Sequence, residues 1–140
     1  MDMGRTVAWA LALAGLIPFG GCAILVAQGG AQADAWLGAL IAYAAVILSF
    51  LGGARWGASL ASGSPDPATL VLSNLPALVA WAALLPLEMP SPTRLTILSA
   101  GLAMMWLWDR RRPPNWYPAL RTVATVGALL SLGLAVVASA

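Results

Sequence analysis

The chain has 140 residues, 61% of them hydrophobic and 9% charged, with a net charge of +2 and a mean hydropathy of +0.86. Soluble domains carry roughly a quarter charged residues and about half apolar ones, and a small globule leaves much of its area in water. This composition therefore predicts lipid as the solvent, and excludes a soluble enzyme, a nucleic-acid-binding domain and a disordered tail.

A membrane-spanning helix needs about 20 mostly apolar residues, and five stretches qualify in chain order. The first span is expected at about 6–27, closed by Gln28-Gly29-Gly30. A signal peptide has an apolar run of about 7–15 residues; this run is longer, so it reads as a retained helix despite the small residues around Ala31-Gln32-Ala33. Pro18 is expected to kink it. The second span is expected at 35–60, ended by Ser62-Gly63-Ser64-Pro65-Asp66-Pro67. The third is placed at 68–87 and the fourth at 93–108, the prolines at 86, 90 and 92 forbidding one continuous helix between them. The fifth is placed at 120–138, after Asp109-Arg110-Arg111-Arg112-Pro113-Pro114. The expected fold is thus an all-α integral membrane protein, a single domain of five transmembrane helices.

Orientation follows from the arginines. With the amino terminus inside, Arg5, Arg55, Arg110, Arg111, Arg112 and Arg121 fall on the inner side and Arg94 alone on the outer side. This places the amino terminus in the cytoplasm and the carboxyl terminus in the periplasm. Trp9, Trp56, Trp106, Trp108, Trp116 and Tyr117 then form an aromatic belt at the inner interface. The triplet Arg110-Arg111-Arg112 reads as a topology anchor meeting anionic headgroups, with recognition of an acidic partner or lipid as the alternative.

Candidate chemistry is sparse. The sequence has no histidine and one cysteine, Cys22, so no imidazole ligand, imidazole base or thiolate cluster is expected. No phosphate-binding or dinucleotide fingerprint is present. No carboxylate lies in the middle of a span, where ion-coupled carriers place one. No metal, cofactor or catalytic residue is therefore expected, and the chain reads as a non-enzyme.

The remaining candidates are structural or interaction residues. Gly53 and Gly57 form a Gly-x-x-x-Gly spacing that lets two backbones approach, within the bundle or at a partner surface. Asn74 precedes Pro76, so its amide either re-satisfies a freed carbonyl or contacts a ligand. Arg55 follows a long apolar run and sits between the two glycines, beside Trp56 as an interfacial anchor. It either snorkels to the surface or points into the bundle, where it needs a counter-charge. Asp109 and Asp66 are available for this, as is a lipid or partner anion. The expectation is an inward Arg55 satisfied by Asp109 or backbone carbonyls, closing the cytoplasmic side.

Several of these blocks carry a resemblance. Gly15-Leu16-Ile17-Pro18-Phe19, then Tyr43 with Ile47-Leu48-Ser49-Phe50-Leu51-Gly52-Gly53-Ala54-Arg55-Trp56-Gly57, then Leu75-Pro76-Ala77-Leu78 with Trp81, and Trp116-Tyr117-Pro118-Ala119-Leu120-Arg121 occur in that order. They resemble a family of small bacterial inner-membrane proteins of unknown function, related to the mitochondrial transmembrane protein 69. The resemblance covers nearly the whole chain and rests chiefly on the Ser-Phe-Leu-Gly-Gly-x-Arg-Trp-Gly block. It implies a multi-span helical protein of the bacterial inner membrane and no established activity.

Two functions are expected from this balance. One is a non-catalytic accessory or assembly subunit, packing against a larger membrane complex of the respiratory or photosynthetic kind or against itself. The other is a carrier or binding protein for a lipid-like or quinone-like molecule, with the kinks at Pro18 and Pro76 opening a cleft. Membrane lipids are expected partners under both; nucleic acid is not.

Overall fold

The computed structural model describes residues 2–140, and these are helical almost throughout. The helices are α1 (Met3–Ala14), α2 (Leu16–Gln28), α3 (Ala33–Ala61), α4 (Pro67–Leu72), α5 (Leu75–Leu84), α6 (Ser91–Asp109) and α7 (Tyr117–Ala138). Two pairs run on as single rods, α1 with α2 and α4 with α5, so five rods make up the bundle. Four of them, Met3–Gln28, Ala33–Ala61, Pro67–Leu84 and Tyr117–Ala138, are long and apolar enough to cross a membrane. The fifth, α6, has 19 residues but is less apolar, because Arg94 and Asp109 occupy its two ends.

Local chemistry sets the breaks. The first rod is interrupted at Gly15, one turn before Pro18, whose ring displaces the carbonyl four residues back. The Tyr43 hydroxyl donates to the Gly15 carbonyl at 2.9 Å, tying α3 to this bend, and the Tyr43 ring meets Phe19 edge-on at 5.0 Å. The third rod breaks at Ser73-Asn74, just before Pro76. The Asn74 amide N–H bonds to the Val71 carbonyl, so the Leu70 carbonyl accepts instead from Ser73 Oγ and Asn74 Nδ2 at 3.0 and 2.7 Å. This rod ends at Leu84 rather than 87, because Leu85 precedes a proline and is extended. Asp66 caps α4, its carboxylate accepting from the Thr69 amide at 2.8 Å and the Thr69 hydroxyl at 2.6 Å, with Pro67 in the first turn.

The rods close in a ring, α2 against α3 and α7, α6 against α7 and α5, α5 against α3, while α3 also meets α6 across the middle. The core is aliphatic, with Leu40, Leu48, Leu95, Leu98, Met105 and Leu132 fully enclosed. Buried residues on α3 fall at Leu37, Leu40, Ile41, Ala44, Ala45, Leu48, Leu51 and Gly52, the three-and-four spacing of a helix with one apolar face inward.

Close approach happens at glycines other than the expected pair. A Cβ on Gly52 would stand 2.5 Å from the Ser73 carbonyl oxygen, and one on Gly101 or Gly127 would meet Leu48 or Leu16 at 2.7 Å. Gly53 and Gly57 face away from the bundle, and a Cβ on either would meet nothing within 4 Å. One residue along a helix turns the side chain by about 100°, which carries Gly53 off the buried row that Gly52 completes.

Candidate functional site

The buried row of α3 runs on from Leu48 and Gly52 to Arg55, which is why this arginine faces inward. The glycines beside it are not the cause. Its Nη1 lies 3.4 Å from Asp109 Oδ1, and its guanidinium carbon sits 4.2 Å from the centre of the Trp108 ring. Trp108 and Asp109 end α6, so Arg55 pins α3 to the last turn of that helix by a charge contact and a stacked one.

Asp109 is 1% exposed and takes more than Arg55. Arg121, in the second turn of α7 and 6% exposed, donates its Nε to Asp109 Oδ2 at 3.3 Å. Arg112 Nη1 stands 3.6 Å from Asp109 Oδ1. One carboxylate thus gathers three guanidinium groups from α3, α7 and the 110–116 loop. The contacts are long and single rather than bidentate, and the cluster keeps a surplus of positive charge. Among the described residues, Arg55 Nε and Arg121 Nη2 are buried without a hydrogen-bond partner. Burying such donors costs free energy unless something accepts from them.

Aromatic residues ring this end. Trp106 donates its indole N–H to Thr122 Oγ1 at 2.9 Å, a second tie between α6 and α7, and Arg110 lies 5.9 Å from the Trp106 ring centre. Trp116 and Tyr117 pack edge-on at 6.4 Å.

Among the described residues, apolar grooves open on the bundle's sides, two of which bear on the site. The larger, about 720 Å³, lies between α3, the α4–α5 rod and α6, and is lined by Leu48, Pro76, Gly101 and Met104 up to Trp108. The smaller, about 520 Å³, runs under α1 from Trp116, Tyr117 and Arg121 to Phe19 and Ala128. Volumes of a few hundred to a thousand Å³ suit a small-molecule ligand.

The other expected residues lie apart. Trp56 is 44% exposed and outside the cluster. Asn74 is spent on the Leu70 carbonyl at the break in the third rod, and Asp66 on its own cap. Arg112, read in sequence as part of a topology anchor or a site for an acidic partner or lipid, and Arg121, counted there as a topology charge, are members of the cluster. Their signal was present: Arg112 follows Asp109 by three residues, and Arg121 stands on the buried face of α7 with Thr125, Ala128, Leu132 and Ala135. Arg94 also has local work. Its guanidinium donates to the carbonyls of Met89, Ala83 and Leu87 at 3.1, 3.1 and 2.8 Å, closing the α5–α6 turn.

The helices, their apolar faces and the sequence relationships together define a multi-pass helical membrane protein. Residues 4–137 match the family described as Protein of unknown function (DUF3429), and the chain belongs to it. It is 41% identical over 127 residues to Transmembrane protein 69 of Xenopus tropicalis, which covers 87% of this chain and 50% of the relative. With Transmembrane protein 69 of Mus musculus it shares 37% over 126 residues, 86% of this chain and 51% of the relative. The chain spans about half the length of these curated relatives. No solved structure matches it.

Proposed function

We propose that the chain is a non-catalytic protein of the bacterial inner membrane that binds a lipid-like or quinone-like amphiphile in its side grooves. The observation that carries this reading is the smaller groove, an apolar slot whose one end is set by the buried Arg121. Slot and charge together have the polarity pattern of an amphiphile.

The proposal includes five crossings, with the amino terminus cytoplasmic and the carboxyl terminus periplasmic. At 19 residues, α6 reaches about 29 Å, close to the ~30 Å hydrocarbon thickness. Arg55, Arg112 and Arg121 gather at one end of the bundle and Arg94 belongs to the opposite turn, as the positive-inside rule requires of this orientation.

An accessory role in a larger complex is favoured by a different observation. The row Ala42, Val46, Phe50, Gly53 and Gly57 on α3 is left uncovered by the bundle's own helices. Purification in mild detergent followed by native mass spectrometry separates the two functions. A bound amphiphile on the isolated chain supports the first; stoichiometric partner subunits on a chain free of amphiphile would replace it with the second.

A further inference from the structure

We infer that the smaller groove is a site for an anionic lipid of the leaflet facing the 110–116 loop, its acid headgroup held by Arg121. The inference rests on the amphiphile-binding reading and names the ligand's class. Three guanidinium groups converge on Asp109 alone. Arg112 is part exposed, but Arg55 and Arg121 are set deeper; a buried ionic cluster needs its charges matched, and one carboxylate cannot match both. The atoms left over fit this shortfall: Arg121 Nη2 and Arg55 Nε are buried donors without acceptors among the described residues, and of the two arginines it is Arg121, 6% exposed, that lines the groove. A phosphate or carboxylate oxygen is the acceptor that such a planar, charged donor recognises best.

The groove supplies the rest of the ligand's shape. On α7 its lining extends from Tyr117 through Ala124 to Ala128, a rise of about 16 Å. That is about half of the ~30 Å hydrocarbon core, the depth of one leaflet. Trp116 and Tyr117 stand at the charged end, where interfacial aromatics mark headgroup level. Across the groove, α1 contributes Ala8, Leu11 and Ala12 and has no buried residue of its own, so a chain lying there would cover a face that the bundle leaves thinly packed. An acyl chain beneath an acid headgroup satisfies the groove and Arg121 together; a free anion satisfies only the arginine.

The test uses the full chain, delipidated in a neutral detergent and titrated separately with phosphatidylglycerol, with phosphatidylcholine of the same acyl chains, and with inorganic phosphate. The readouts are the thermal midpoint and the lipid retained per chain. Phosphatidylglycerol is expected to raise the midpoint by about 5 °C or more at saturation and to be retained near one per chain, with less than half that shift from phosphatidylcholine and none from phosphate. Arg121→Gln should abolish the difference between the lipids. Because that variant also loses its contact with Asp109, Ala124→Leu is the companion: it fills the groove, leaves the ion cluster intact, and should remove the phosphatidylglycerol shift while keeping the lipid-free midpoint. Equal shifts from the two lipids would overturn the headgroup assignment and leave amphiphile binding standing. No shift and no retention of either lipid would overturn both. A full shift from phosphate alone, or one that persists in Ala124→Leu, would overturn the lipid assignment.

Discussion

Asp109 and Arg121 are held 3.3 Å apart at the turn between α6 and α7, the carboxylate 1% and the guanidinium-bearing residue 6% exposed. The same carboxylate faces Arg55 at 3.4 Å on α3, so one side chain joins three helices at one end of the bundle. Removing one partner of a buried ion pair usually costs more than the pair contributes, because the remaining charges stay buried and uncompensated.

Asp109→Asn should therefore be the most damaging conservative change at this end. It keeps the shape and leaves Arg121 and Arg55 without their counter-charge, while Arg112 is part exposed, and is expected to lower stability by about 3–5 kcal/mol. Thermal unfolding in detergent reads this directly. A midpoint within a degree of the unchanged chain would mean that the cluster holds nothing together.

Arg55→Lys keeps the charge but loses the planar group that stacks on Trp108. A loss of about 1–2 kcal/mol is expected, less than for Asp109→Asn. If the lysine variant matches the original chain in expression and thermal midpoint, Arg55 is a topology charge with no structural role.

The two neighbouring glycines separate cleanly. Gly52→Ala drives a methyl group against the Ser73 carbonyl and Pro76, and overpacking against backbone is expected to cost about 1–3 kcal/mol. Gly53→Ala meets nothing and should leave stability unchanged or raise it by up to about 1 kcal/mol through helix propensity. Reversal of the pair would show that α3 is rotated relative to this account.

How much of this was legible in the sequence depends on the kind of signal. Helix positions were, because apolar runs bounded by proline, glycine and charge leave few alternatives. Arg55 and Asp109 were legible as candidates, since both are charges at the ends of apolar runs. The Gly-x-x-x-Gly spacing of Gly53 and Gly57 left open whether they face the bundle or a partner, because spacing says nothing of helix phase; the buried row through Leu48 and Leu51 shows that Gly52 is the glycine turned inward. Arg121 was passed over because a charge near a span end serves topology as well as packing. Only its register with Thr125, Ala128 and Leu132 tells the two apart. A cleft at the Pro18 and Pro76 kinks was an expectation of the sequence, but the extent and lining of the grooves were beyond it, since they depend on how far apart the rods stand.

Arg94→Ala should loosen the α5–α6 turn by releasing the carbonyls of Ala83, Leu87 and Met89. Charged hydrogen bonds contribute about 1.5–3 kcal/mol each, so loss of the set is expected to speed proteolysis in the 85–90 segment at least tenfold. Cleavage unchanged from the original chain would assign that turn's order to its prolines instead.

The Asp66 cap gives a pH dependence. Hydrogen bonds from the Thr69 hydroxyl and amide, with a smaller one from the Ala68 amide, hold its carboxyl below the usual range. A depressed carboxyl contributes stability above its unfolded value, near 3.9, and loses it as pH falls through the folded one. The midpoint gap between the original chain and Asp66→Ala should therefore be small but measurable at pH 6 and shrink at still lower pH, below 4. A gap independent of pH would show that the carboxylate does not make the cap.

The central claim, that the surplus charge around Asp109 is met by a lipid headgroup, is tested most directly by an experimental structure grown from a lipid phase doped with phosphatidylglycerol. The predicted result is headgroup density within hydrogen-bonding distance of Arg121 Nη2, continuous with an acyl chain reaching toward Ala128. Arg121 Nη2 bonded to a protein oxygen, beside a groove without lipid density, would contradict it.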